Sequence, residues 1–318
     1  MKAIRVHAFG DPSVLNYEDV PDPKAGEGEL LIHVRAIGVN PVDTYVRAGA
    51  YAMKPALPYT PGTELAGEVV DGPRKGERVF ALGTTGPRNT GCYAELAVVR
   101  SSDAHRLPDH LSFAQGAAVP VAFGTAYRAL VDRANVRPGD AVLIHGASGG
   151  VGTAAVQIAA LLGATVIGTA STDAGRKLVR ECGAMHVMNH REASYLDQIK
   201  LLTGGRGVDV VIEMLANVNL DHDLDLLVSG GRVVIIGSRG RIEIDPRKTM
   251  AKESIVTGVM LWAAGDGGLS RAFAFISAGL ARGGLKPIVQ TELPLARAAE
   301  AHELVLRDGS GGKVVLVP

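Results

Sequence analysis

Cysteine is nearly missing from this 318-residue chain: only Cys92 and Cys182 occur, and no C-x-x-C. Two thiols so far apart build no disulfide framework, and a reducing compartment is their natural setting. Net charge is missing too, with 33 Lys and Arg against 33 Asp and Glu. This balance argues against nucleic acid or an anionic membrane as a partner, because basic excess supplies the affinity for both. No run approaches the ~20 apolar residues of a membrane span. The most apolar stretch, residues 154–168, is interrupted by Gln157 and Thr165. The N-terminus, MKAIRVHAFGDPS, carries no apolar h-region of a signal peptide. Together these absences predict a soluble, cytoplasmic protein.

What is plentiful is apolar residue, at 47%, and glycine, at 40 residues. The first permits a sizeable core and the length suits one large domain or two medium ones. The second, almost twice the ~7% average, implies many close backbone approaches.

The first hundred residues read as strands and turns. In residues 29–37 Leu30, Ile32, Val34 and Ala36 fall on one face and His33 and Arg35 on the other. Pro and Gly then recur from Pro41 to Gly76, which suits a small, irregular, largely antiparallel β domain. From about residue 120 the pattern changes to short apolar runs (141–145, 164–169, 185–188, 208–213, 232–237) alternating with helical segments. In the first helix Val151, Ala155, Ile158 and Leu162 form one stripe. Continuous apolar strands alternating with helices predict a parallel sheet covered on both faces. The tail adds a helix, a strand near residues 287–290, a helix over 296–306 and a last strand at 313–317.

Between the first apolar run and the first helix lies His145-Gly-Ala-Ser-Gly-Gly-Val-Gly152. Glycines at 146, 149 and 152 between strand and helix are what a dinucleotide requires: one for the tight turn, one for approach of N–H groups to the pyrophosphate, one for helix–strand packing. The same residues satisfy G-x-S-x-G, the nucleophile elbow of serine hydrolases. That alternative needs an acid and a histidine, for which Asp209 and His302 are unmarked candidates, and it leaves Gly152 unexplained. A turn without ligand is the remaining alternative. The strand that follows ends in Ser171 and Thr172 with Arg176 one helical turn on, in place of the acid that binds an NAD ribose. Small hydroxyls beside a cation suit a 2′-phosphate, so NADPH is favoured over NADH; Asp173, the dissenting acid, reads as a complement to the helix dipole. Metals find little support. The nine histidines are scattered, and the start of a calcium loop at residues 221–225 has Leu226 where Gly is needed and Arg232 where Glu is needed.

Gly38-Val-Asn-Pro-Val-Asp-Thr-Tyr45 and Pro61-Gly-Thr-Glu-Leu-Ala-Gly-Glu-Val69 resemble the catalytic domain of medium-chain dehydrogenases/reductases. The glycine loop, Asn189-His-Arg-Glu192, Glu213-Met-Leu-Ala-Asn-Val-Asn219, Ile236-Gly-Ser-Arg239 and Thr249-Met-Ala-Lys-Glu-Ser254 narrow the resemblance to zeta-crystallin-type NADPH:quinone oxidoreductases. It extends over the whole chain. It implies an α/β protein in which a GroES-like catalytic domain (1–120 and 262–318) is interrupted by a Rossmann doubly wound parallel-sheet domain (121–261), with NADPH in the cleft between them. The cysteine, histidine and cysteine that hold catalytic zinc in alcohol dehydrogenases of the same superfamily fall on Asn40, Thr63 and near Val121. No metal is therefore expected, and hydride transfer to an already electrophilic quinone is favoured over alcohol oxidation.

For the site, the resemblance implies Asn40, Tyr45 and Tyr51 around a flat quinone, Tyr45 also near the nicotinamide. It implies Gly146, Ser148, Gly149, Gly150, Val151 and Gly152 at the pyrophosphate, and Ser171, Thr172 and Arg176 at the 2′-phosphate. His190 and Asn219 belong on the adenosine side, and Gly237, Ser238, Arg239 and a strand through Val259, Met260 and Leu261 along the nicotinamide half. Ser171 stands where Gly is common, and Cys92 where relatives often have Gly; Cys92 reads as a packed residue, with a redox-active thiol as the alternative. His145 reads as structural. A homodimer, or a tetramer, joined through edge strands around residues 255–261 is implied as well. The alternatives are an NADPH-dependent reductase of enones and 2-alkenals, or a non-catalytic NADPH-binding protein of crystallin-like or RNA-binding role.

Overall fold

The computed structural model describes residues 1–83, 91–309 and 311–318. The chain divides into two compact units, Met1–Val121 with Pro287–Pro318, and Ala122–Lys286.

The first unit opens with an antiparallel pair, β1 (Lys2–Val6) and β2 (Leu15–Asp19). Then follow β3 (Glu29–Val39), the short helix α1 (Pro41–Arg47), β4 (Glu64–Val69), β5 (Arg78–Leu82), β6 (Leu96–Arg100), β7 (Ala104–Arg106) and α2 (Phe113–Ala117). Along β3 the expected alternation holds: Leu30, Ile32, Val34 and Ala36 are buried while His33 and Arg35 face solvent. Beyond Ala36 both faces close over, and the strand leads through Asn40 into α1. There Pro41 takes the first helical position, where no N–H is required, and the Asn40 amide donates to Asp43 Oδ2 at 2.8 Å.

The second unit starts within α3 (Pro120–Tyr127), which continues as a wide turn over Arg128–Arg133. It then alternates: β8 (Ala141–Ile144), α4 (Gly150–Leu161), β9 (Thr165–Thr169), α5 (Asp173–Glu181), β10 (His186–Met188), α6 (Tyr195–Leu202), β11 (Val208–Glu213), α7 (Ala216–Leu226), β12 (Leu227–Ile235), α8 (Pro246–Lys252), β13 (Ile255–Gly258) and α9 (Gly265–Ala281). The six strands are parallel in the order β10-β9-β8-β11-β12-β13. This is the doubly wound arrangement, whose switch point lies between β8 and β11. Helix α4 packs on β8 and β9 and on the Arg128–Arg133 turn. Burial therefore covers all of Gly152–Ala159, Gln157 included, while Val151 and Leu162 of the expected stripe are only half-buried.

The chain re-enters the first unit with β14 (Val289–Pro294), α10 (Ala298–Leu304) and β15 (Lys313–Val317). Strand β15 pairs with β3, giving the sheet order β14-β15-β3-β4-β5-β7 with β6 on β3.

Two expectations need correction. The return falls at Pro287 rather than at residue 262. Helix α9 buries Leu269, Phe273, Ile276 and Leu280 within the second unit, and Gln157 clamps Lys286 there by accepting from its N–H (2.7 Å) and donating to its carbonyl (3.0 Å). Residues 259–261 are not a strand. Strand β13 ends at Gly258, and Leu261 starts a 3₁₀ turn fastened by the Arg128 guanidinium, which donates to the carbonyls of Met260 and Leu261. Among the described residues no helix is long and apolar enough to cross a membrane.

Candidate active site

The candidate cofactor residues of the second unit follow the carboxyl ends of its parallel strands, while Tyr45 lies on α1 of the first unit. Strand β8 runs through His145 into Gly146, which takes φ +55°, a conformation glycine adopts without strain. The loop is pinned to the next strand by Ala147 N–H donating to the Thr169 carbonyl at 2.9 Å. Gly149 then caps α4, and the first helical bond runs from Thr153 N–H to its carbonyl (2.9 Å). The amides of Gly150, Val151 and Gly152 precede that ladder, at the positive end of the helix dipole. Gly152 is required sterically, since a Cβ there would lie 2.3 Å from the Gly146 carbonyl oxygen.

The hydrolase alternative has no partners to draw on. Asp209 is paired with Arg206 and accepts from Ala141 N–H, and His302 is fully buried with both ring nitrogens committed, to Arg47 and to Tyr93.

Past β9, Thr172 caps α5 by accepting from Gly175 N–H at 3.0 Å. Arg176 reaches back over this turn, donating to the Ser171 carbonyl at 3.2 Å and pairing with Asp173. Asp173 is 98% exposed, so its hold on the guanidinium is open to exchange for another anion. His190 is exposed in the turn after β10. After β11, Asn219 lies on α7 and donates to Glu213 Oε1 at 3.2 Å. After β12, Gly237 packs so tightly that a Cβ would meet the Met214 carbonyl oxygen at 2.4 Å, and the Arg239 amide donates to Asn217 Oδ1 at 2.8 Å.

The first unit holds a buried polar cluster that the sequence did not disclose beyond Asn40 and Thr63. The Lys313 ammonium from β15 contacts both Glu64 Oε1 and Asn40 Oδ1. Glu64 also accepts from Asn40 Nδ2 (2.8 Å) and from the Val121 amide (2.7 Å), and Asn40 Nδ2 reaches Thr63 Oγ1 at 3.3 Å. Asp43 accepts from Asn40 N–H, from Thr63 and from Tyr93. Burial pushes Asp43 up to about 7 against these donors. Farther in, Arg47 donates to His302 Nδ1, so Nε2 carries the proton offered to Tyr93 at 3.1 Å. These residues come from both ends of the chain, and no local spacing marks them.

The cluster decides what the zinc positions can hold. The Asn40 amide is fully committed, Thr63 offers only a hydroxyl, and Val121 contributes a donor rather than a ligand. A cation, Lys313, already neutralises Glu64. This donor set does not fit a zinc ion. Asn40, 3% exposed, acts from within as a brace for Lys313 and Glu64. Tyr45 and Tyr51 are only half-buried, on α1 and in the bend after it. Cys92 is packed: burial drives its thiol far above the ordinary range, and a Cβ on Gly83 would strike its Sγ at 2.3 Å.

Comparison with known proteins agrees with this architecture. Residues 26–109 match the alcohol dehydrogenase GroES-like domain and residues 150–277 the family described as zinc-binding dehydrogenase. A quinone oxidoreductase of Pongo abelii is 48% identical over 325 residues, covering 100% of this chain and 98% of its own length. The human quinone oxidoreductase is 47% identical with the same coverage. Among solved structures, the quinone oxidoreductase of Thermus thermophilus, determined also with NADPH, is 35% identical with a TM-score of 0.89 and coverage of 100% of both chains. The chain belongs to the zeta-crystallin-like quinone oxidoreductase family of the medium-chain dehydrogenases/reductases.

Proposed function

We propose that this protein reduces quinones with NADPH, without a metal. The observation that carries the reading is the carboxyl edge of the second unit's sheet, where a helix N-terminus behind a glycine turn lies one strand from a guanidinium beside Ser171. When bound, NADPH supplies a hydride; with one proton from water, quinone becomes hydroquinone and NADPH becomes NADP⁺. The amides of Gly150, Val151 and Gly152, with Gly146, Ser148 and Gly149 shaping the turn, take the pyrophosphate. Ser171, Thr172 and Arg176 take the 2′-phosphate, His190 and Asn219 the adenosine, and Gly237, Ser238, Arg239 and Val259–Leu261 the nicotinamide half. Tyr45 and Tyr51 offer aromatic faces to a flat acceptor, and Asn40 holds the Glu64–Lys313 pair. The NADPH complex of the Thermus relative supports the choice of cofactor.

The protein works in the reducing cytoplasm and as a homodimer. Strand β13 is a sheet edge that exposes Ile255 and Val256, at 55% and 38%, and a second copy would continue the sheet there. A monomer in size-exclusion light scattering would overturn the dimer.

The test of the activity is NADPH oxidation, with NADH alongside, against ortho-quinones and 2-alkenals, with and without a chelator. Quinone turnover that prefers NADPH and ignores the chelator is expected. Turnover on alkenals alone, or binding of NADPH with no turnover, would overturn the quinone assignment.

A further inference from the structure

We propose that His145, Glu213 and Asp223 form a buried proton-binding site beneath the glycine loop, filled when NADPH binds, so that cofactor affinity is tied to pH. The proposal rests on the reading of residues 146–152 as the dinucleotide loop.

The three side chains come from the ends of β8 and β11 and from α7, and all are enclosed, at 3%, 0% and 0% exposure. One ligating atom from each lies within 4.8 Å of the others. His145 Nε2 donates to Asp223 Oδ1 at 2.8 Å and stands 3.7 Å from Glu213 Oε2. Glu213 Oε1 is satisfied by the Leu215 and Asn219 donors. Two buried oxygens, Glu213 Oε2 and Asp223 Oδ2, have no hydrogen-bond partner among the described residues. Enclosed acceptors without donors are rare and call for an occupant.

Counting charge exposes the same deficit. An imidazolium balances one carboxylate and leaves the second without a cation. From α6 the Tyr195 phenol faces the pair, pushed up to about 12 by burial and by the two acids, hence neutral. The other acids of α7, Asp221 and Asp225, pair with Lys248 and lend nothing inward; Lys252 donates to the Asp225 carbonyl. A single proton bridging Glu213 Oε2 and Asp223 Oδ2 supplies both the missing donor and the missing charge. In keeping with this, burial pushes Glu213 up to about 7, with Asp223 adding and His145 opposing. Burial works against His145, yet Asp223 holds it above its ordinary value. A cation would need His145 Nε2 as a bare lone pair, but that nitrogen carries the proton given to Asp223, and what the enclosure lacks is a donor for two oxygens, so a proton is the occupant favoured.

The site is wired to the loop. His145 directly precedes Gly146, and Glu213 directly precedes Met214, whose side chain lies 3.5 Å from where a Gly146 Cβ would be. A bound pyrophosphate brings negative charge to the amides of Gly150–Gly152, and a nearby anion favours the protonated form of an acid. By linkage, proton binding then favours the cofactor equally.

The experiment is calorimetric titration of the whole protein with NADPH between about pH 7 and 9, in two buffers of unlike ionisation enthalpy. This range lies above the second pKa of the 2′-phosphate, about 6. Wild type is expected to take up as much as one proton per NADPH, its Kd rising toward tenfold per pH unit. Glu213→Gln, which mimics the protonated acid and keeps an acceptor for Leu215, should bind with no uptake and a flat Kd; Asp223→Asn should likewise lose the uptake. Tight binding without proton uptake in wild type overturns the proposal, and this needs no variant to fold. So does undiminished uptake in a folded Glu213→Gln protein, or a stoichiometric metal lost in that variant. Absence of NADPH binding at every pH would overturn the loop reading itself.

Discussion

The Lys313 ammonium of the last strand lies against the Glu64 carboxylate of the fourth, and both are buried, at 5% and 0% exposure. Asn40 touches both partners, with Nδ2 on Glu64 and Oδ1 on Lys313. The pair thus joins by charge the two strands that flank β3 in the first unit's sheet, one from early in the chain and one from its end.

Breaking this pair should be costly. Lys313→Met leaves a buried carboxylate with only neutral donors, and a loss of about 3–5 kcal/mol is expected. Adding Glu64→Gln to Lys313→Met should restore part of it. Denaturant unfolding of both variants checks this; equal stability of wild type and the single variant would refute it.

Gly152→Ala tests the glycine loop. The new Cβ would meet backbone, the Gly146 oxygen at 2.3 Å and the Ala147 Cα at 2.7 Å, so the loop or helix must shift. The expected outcome is a loss of about 1–3 kcal/mol of stability together with at least a ~10-fold weaker NADPH complex. Thermal unfolding and a fluorescence titration measure the two effects.

Arg176→Ala should lower kcat/KM with NADPH by about 10- to 100-fold, the worth of a charged hydrogen bond to a phosphate, and change that with NADH little. Asp173→Asn frees the guanidinium from its exposed partner and should move the ratio the other way, by a factor of roughly two, as befits a surface pair. Parallel loss with both cofactors in Arg176→Ala would remove this residue from the 2′-phosphate.

His302 makes stability depend on acid. Burial, aided by Arg47, lowers it to about 3, while in the unfolded chain it titrates near 6.5. Between those values the unfolded state binds the extra proton, so the contribution is complete above about pH 6.5 and is lost as pH falls, by up to ~1.4 kcal/mol per pH unit. Asp43 and Glu213, pushed up to about 7, act oppositely: their contribution is complete below about pH 4 and is lost as pH rises toward 7. The full curve is therefore shallow, and the difference between wild type and His302→Gln isolates the acid limb. Unfolding free energies from about pH 4 to 7 should show that limb reduced in the variant.

Much of the second unit was legible because its physics is local. A parallel strand buried on both faces is a continuous apolar run, and Gly146, Gly149 and Gly152 carry their spacing wherever the chain goes. The candidate cofactor residues of the second unit share that legibility, since they follow strand ends. The return point was not legible. Residue 262 follows a family-like segment, but Gln157 and the apolar face of α9 hold the chain in the second unit as far as Lys286.

By itself the sequence determined the periodicities, the glycine turn, the choice of hydroxyls and Arg176 over an acid after the second strand, and the lack of thiolates at the zinc positions. Only the tertiary structure decided that Lys313 meets Glu64, that His302 and Tyr93 converge below Asp43, and that His145, Glu213 and Asp223 share one enclosure. The physical reason is separation along the chain. Each of these groups is an ordinary polar residue in its own segment, and its charge acquires meaning only when folding removes it from water and sets a partner from a distant segment beside it.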